Sequence, residues 1–270
     1  MIKELSIALL ALTSIAVFAE TKRVCSPDGK MQVSVIAENG TLKYQVEYGG
    51  KEMIAPSSLG LKTDMGDYTR NLTPVKWNES KIDETYTMTR TKASKVNYVA
   101  NALAVELKAE GCPYPMTVVW QVSNNNIAYK YLLGGSDNNV NDEPRRATIF
   151  SETSSFRFPD KTTTFLCPQI GGNHQGWMST KPSYEEEYRA NAPMAEKSRF
   201  GFGYTFPCLF KVGEDGWVLV SETGVGSNYC GSHLSDYDAS RGYTVAYPSH
   251  EEYHGLGSNA PAITLPGETP

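Results

Sequence analysis

The run from Thr41 to Tyr48 sets Leu42, Tyr44, Val46 and Tyr48 on one side of the chain and Lys43, Gln45 and Glu47 on the other. A period of two belongs to a strand with one buried face, because successive strand side chains point in opposite directions. Asn39-Gly40 precedes this run and Gly49-Gly50 follows it; both pairs tolerate the positive φ that tight hairpin turns require. Residues 31–37 ahead of the first turn alternate in the same way, so the chain opens as an antiparallel meander that continues into residues 51–54.

The same grammar recurs to the end. Pro56-Ser57-Ser58-Leu59-Gly60-Leu61 breaks the meander and starts a new strand. Residues 64–82 are polar and turn-rich, and a threonine-heavy strand follows at 85–89. Residues 103–108 alternate again, and the runs Met116–Val122 and Ile127–Leu133 flank a hairpin at Ser123-Asn124-Asn125-Asn126. Further strands are expected at 147–150, Tyr204–Val212, 217–221 and 243–247, with Gly213-Glu214-Asp215-Gly216 carrying an Asp-Gly hairpin signal. No stretch keeps a helical period, so the reading is all-β with long loops and little helix. The 270 residues suffice for one large β domain or two small ones.

Residues 1–19 read as a signal peptide. Lys3 gives the positive start, 5–18 is apolar apart from Ser6, Thr13 and Ser14, and Val17-Phe18-Ala19 offers small residues at the cleavage positions. The apolar run is too short for a comfortable membrane span. The expectation is an exported, periplasmic chain whose mature part is 20–270. Five widely scattered cysteines contain no CxxC pair, which excludes a zinc knuckle and favours free thiols packed as small hydrophobes. The net charge of −5 without any basic cluster excludes a nucleic-acid partner held by phosphate contacts.

Residues 168–200 form the longest irregular stretch, and it holds Tyr184-Glu185-Glu186-Glu187-Tyr188. Three like charges in a row repel one another and favour an extended, solvated or cation-bound conformation. A charged surface loop accounts for the run by itself. The functional reading makes one carboxylate a hard-cation ligand, and calcium then needs further oxygens from elsewhere. The acidic loop at 135–145 lacks the alternate-position ligands and the glycine of a calcium-binding loop. No Gly-x-Ser-x-Gly is present, and the four histidines are scattered, which leaves serine-hydrolase and zinc chemistry without a carrier. Trp177 and Tyr184 are candidates for stacking on sugar faces, while core packing explains most other aromatics.

Several stretches, in order along the mature chain, resemble the N-terminal domain of the family 97 glycoside hydrolases. These are exported bacterial α-glucosidases and α-galactosidases. The stretches are Ser26-Pro27-Asp28-Gly29, Pro56-Ser57-Ser58-Leu59-Gly60-Leu61, Glu187-Tyr188, Glu214-Asp215-Gly216-Trp217-Val218-Leu219-Val220-Ser221-Glu222, and Cys230 through Leu234. The resemblance implies a large antiparallel β-super-sandwich of the galactose-mutarotase type, followed in such enzymes by a catalytic (β/α)8 barrel encoded downstream. It implies an α-linked oligosaccharide as substrate, no catalytic residue within this chain, and a Ca2+ ion shared with the barrel. The residue matching the family's calcium-binding glutamate is Glu187, with Glu186 and Glu185 as less good matches, so the choice among the three stays open. The competing reading is a stand-alone secreted carbohydrate-binding module; a surface structural or interaction protein is a third.

Overall fold

The computed structural model describes residues 19–134, 147–169, 187–224, 231–247 and 263–264. Asn39 and Gly40 turn the chain with φ of 52° and 71°, joining β2 (Met31–Glu38) to β3 (Thr41–Tyr48). A side chain at Gly40 would also press on the Asn71 backbone at 3.1 Å. Gly49 and Gly50, at φ 57° and 75°, then turn β3 into β4 (Lys51–Leu59), and β1 (Glu20–Cys25) pairs on the other side of β2. The first sheet is therefore the expected meander, β1-β2-β3-β4.

Pro56 does not interrupt it. The residue sits exposed inside β4, whose pairing with β3 carries register shifts, and its neighbour Ala55 bridges to Arg157 on the far side. A proline is tolerated where no ladder donor is demanded of it. The break comes at Gly60, after which β5 (Leu61–Thr63) and β6 (Gly66–Asp67) join β11 (Ala147–Glu152) and β19 (Ile263–Thr264) in a sheet of order β19-β11-β5-β6.

A second meander, β10-β9-β8-β7, packs on the first. It comprises β7 (Leu72–Thr87), β8 (Lys95–Ala109), β9 (Met116–Val122) and β10 (Ile127–Leu133). Its inner face (Leu103, Val105, Leu107, Met116, Val118, Trp120 and Val122) meets Val33, Val35, Leu42 and Tyr44 from the first sheet in one buried cluster. The sequence led us to expect a polar, turn-rich connection before residue 85. The structure has one 16-residue strand there, paired along its whole length with β8. Most of β7 lies exposed on both faces, so it carries no hydrophobic period to betray it.

The fourth sheet runs β12-β18-β17-β15-β13-β14, with β16 paired to β15. Its strands are β12 (Ser155–Phe156), β13 (Thr162–Pro168), β14 (Arg189–Pro193), β15 (Tyr204–Val212), β16 (Gly216–Val220), β17 (His233–Leu234) and β18 (Tyr243–Ala246). The β15–β16 hairpin is not a two-residue Asp-Gly turn. Gly216 already pairs with Val212, so Gly213, Glu214 and Asp215 form the loop, and the Asp215 carboxylate ties it down by accepting from Lys51 and Lys161. Elsewhere in this sheet, Gly203 holds φ 80° and a Cβ there would lie 2.0 Å from the Leu234 carbonyl oxygen. No helix occurs among the described residues. Cys25, Cys112, Cys167 and Cys208 form no disulfide with one another, and the last two are buried; Cys230 lies outside the described residues.

Candidate functional site

Strand β14 exists because β13 offers it a partner edge: Arg189 pairs with Leu166, Ala190 with Phe165 and Ala192 with Thr164. The shift between the last two pairs coincides with Asn191 at φ 54°, a residue type that enters the left-handed region at low cost. Glu187 and Tyr188 stand immediately ahead of this edge strand, both exposed. Arg189, next in the chain, is paired with Glu196 (2.9 Å). Glu187 is thus an exposed carboxylate at the rim of the fourth sheet. The other residues singled out by sequence (Glu185, Glu186, Trp177 and Tyr184) lie outside the described residues.

Among the described residues, no group of three or more His, Cys, Asp or Glu side chains is placed to hold a metal ion. Calcium takes six to eight oxygen ligands, so Glu187 by itself does not make a calcium site.

A second arrangement was invisible in the sequence. Glu152 ends β11 as a half-buried carboxyl that accepts from the Tyr247 hydroxyl (3.3 Å), with the Ser154 hydroxyl lowering its pKa. The Ser154 hydroxyl is 2.5 Å from the Tyr131 hydroxyl, which accepts from the Gly60 backbone N–H (3.0 Å). Hydrogen bonds therefore join Gly60, Tyr131 and Ser154, and Ser154 stands two residues from Glu152. Above it, Glu222 follows β16 and accepts from Ser232, through the backbone N–H at 3.1 Å and the hydroxyl at 2.7 Å. Burial pushes the Glu152 carboxyl up from the usual 4.5 to about 7, Ser154 and Tyr247 pull it back, and the charge on Glu222 adds to the rise. Glu152 thus changes charge near neutrality, and its charge reinforces the rise that burial imposes on the Tyr129 and Tyr131 hydroxyls. No local signal marks Glu152 in the sequence, because Tyr247, which bonds it, and Glu222, whose charge it feels, lie far along the chain.

The comparisons with known proteins agree with this architecture. The glycosyl-hydrolase 97 N-terminal family matches residues 24–270. A β-arabinopyranosidase crystal structure superposes with a TM-score of 0.84 at 45% identity, covering 92% of this chain and 38% of that one. A family 97 glycoside hydrolase from Pseudoalteromonas sp. strain K8, solved in complex with panose, superposes with a TM-score of 0.71 at 14% identity, over 92% of this chain and 34% of that one. A probable retaining α-galactosidase from Streptomyces bingchenggensis (strain BCW-1) is 23% identical over 210 residues, which is 77% of this chain and 28% of the relative. The chain therefore spans roughly a third of the length of these relatives. Among the described residues no helix is long and apolar enough to cross a membrane. The match over residues 24–270, on an all-β fold, means that this chain belongs to the glycosyl-hydrolase 97 N-terminal family.

Proposed function

We propose that this chain is the N-terminal sandwich of an exported, calcium-dependent glycoside hydrolase, that it buttresses the catalytic part, and that it lends Glu187 to the calcium-bearing active centre. The observation that carries the reading is the family match over 24–270 in relatives two-thirds of whose length lies beyond this domain. The position of Glu187 supports its role: a carboxylate exposed at a sheet rim can enter a site built by a neighbouring body, whereas a core carboxylate cannot. Such a body supplies the remaining ligands, and the bound calcium supplies fixed positive charge to the reaction centre. Export rests on the 1–19 segment.

The sugar is a galacto-configured glycoside. Two of the three relatives, including the one 45% identical, are named for an arabinopyranoside and an α-galactoside, while the third, 14% identical, was solved with panose. β-L-Arabinopyranose has the ring configuration of α-D-galactopyranose and lacks only its hydroxymethyl group, so one pocket accepts both.

The test joins this chain in frame to the catalytic part of the β-arabinopyranosidase and follows hydrolysis of nitrophenyl glycosides against calcium concentration. Glu187→Gln should move the calcium midpoint upward by about tenfold or more, the order expected when one charged ligand of a shell is lost. Glu185→Gln and Glu186→Gln should leave it in place. A calcium response that ignores Glu187→Gln overturns the assignment, and oligosaccharide affinity in the isolated chain would favour the binding-module reading instead.

A further inference from the structure

The outer face of the fourth sheet is unusually apolar for a surface. Strand alternation sends Thr164, Leu166, Cys208, Phe210, Val212 and Val220 into the core. Their neighbours Phe165, Leu209, Trp217 and Leu219 consequently face outward. The pairings Ala190–Phe165, Phe165–Leu209 and Leu209–Leu219 run as one row across β14, β13, β15 and β16. Trp217 stands beside that row with its ring 5.1 Å from Phe165. Leu219 is 63% exposed and Trp217 54%, the former the most exposed of the large hydrophobics on the described surface. Lys211, the cross-strand partner of Trp217, lies 5.9 Å over its ring and pairs with Glu214 at 3.2 Å, which puts one ion pair at the margin of the row.

Aromatic residues are enriched at interface cores, and large apolar patches on a monomer mark binding surfaces. Tyr188 extends the patch past its β14 end at 53% exposure. It adjoins Glu187, the residue that the functional reading sends into the active centre. A body that receives Glu187 comes within reach of Tyr188, and Ala190, two residues further on, opens the row that ends at Leu219. The accompanying two-thirds of the relatives' chains supplies a body of sufficient size.

We propose that the outer face of β14-β13-β15-β16, centred on Trp217 and Leu219, is the docking surface for the catalytic part of the enzyme. The inference rests on the functional reading above and specifies where the two parts meet. Trp217 is its anchor, since buried tryptophans carry a disproportionate share of interface energy.

The chimera already described serves as the test, with unfolding followed by calorimetry and loss of activity timed at elevated temperature. Trp217→Ser combined with Leu219→Ser should split its single transition in two and speed thermal inactivation by about tenfold or more, as loss of hot-spot contacts does. The same pair in the 270-residue chain should leave its unfolding midpoint unmoved or higher, which separates docking from folding. Tyr86→Ser, on the exposed end of β7, should change nothing. A one-step chimera whose transition ignores the double substitution overturns the docking face alone. An unsubstituted chimera that unfolds as two independent units overturns the functional reading and the face together. If the isolated chain dimerises, and the double substitution abolishes only that, a second copy is the occupant and the proposal is wrong.

Discussion

At the scale of single residues, Glu152 ties protonation to stability. Its folded-state value is raised from 4.5 to about 7, so between those limits the folded chain holds a proton the unfolded chain has released. Stability from this group is present at the acid end of the window and falls as pH rises through it. Asp238 acts in the opposite sense: hydrogen bonds from Ser240 and then Arg241 lower it from 3.8 to about 2, and its contribution is lost as pH falls through that range. The two together predict greatest stability on the mildly acidic side of neutrality. In urea melts from pH 4.5 to 8, Glu152→Gln should flatten the decline toward high pH; an unchanged slope would show that Glu152 is not its source. Gly203 makes a sharper prediction. With φ 80° and a carbonyl oxygen 2.0 Å from where a Cβ would be, Gly203→Ala should cost on the order of 2–4 kcal/mol, read as a lowered urea midpoint.

At the scale of elements, the long β7–β8 hairpin divides into two regimes. From Asn101 to Leu107, β8 has β9 on its other side and buries Leu103, Val105 and Leu107. Beyond that it pairs with β7 alone, and Tyr86 and Val99 lie exposed. Leu103→Ala should therefore destabilise by about 2–5 kcal/mol, whereas Tyr86→Ser should stay within about 0.5 kcal/mol. Equal effects in chemical denaturation would show that the outer hairpin is packed. The same division explains what the sequence disclosed. β3 and β9 were legible because a buried face imposes strict alternation, and Asn39-Gly40 and Gly49-Gly50 announced their turns through backbone chemistry. Most of β7 was hidden because a strand wet on both faces needs no alternation, and its stability comes from a partner far along the chain. Pro56 misled for a related reason: a proline stops only a strand that needs its missing N–H, and here β4 did not.

At the scale of the whole molecule, the fold class followed from local patterns, while the sites depend on long-range assembly. Glu187 was found through its place in an acidic run matched to a family, and the structure sets it, exposed, at the head of β14. Trp217 and Leu219 looked like ordinary hairpin residues until strand pairing aligned them with Leu209 and Phe165. Glu152 gained its character only when β10, β11 and the segment after β18 closed around it. Each of these features gains a use if the sandwich works against a second body: a carboxylate at the rim, an apolar outer face beside it, and a core sufficient to hold both rigid. The most direct test is the calcium dependence of glycoside hydrolysis in the joined enzyme, with and without Glu187→Gln. The account predicts that hydrolysis requires both parts and that the substitution shifts the calcium midpoint upward by about tenfold or more; cleavage by this chain alone, or identical calcium curves for the two enzymes, would contradict it.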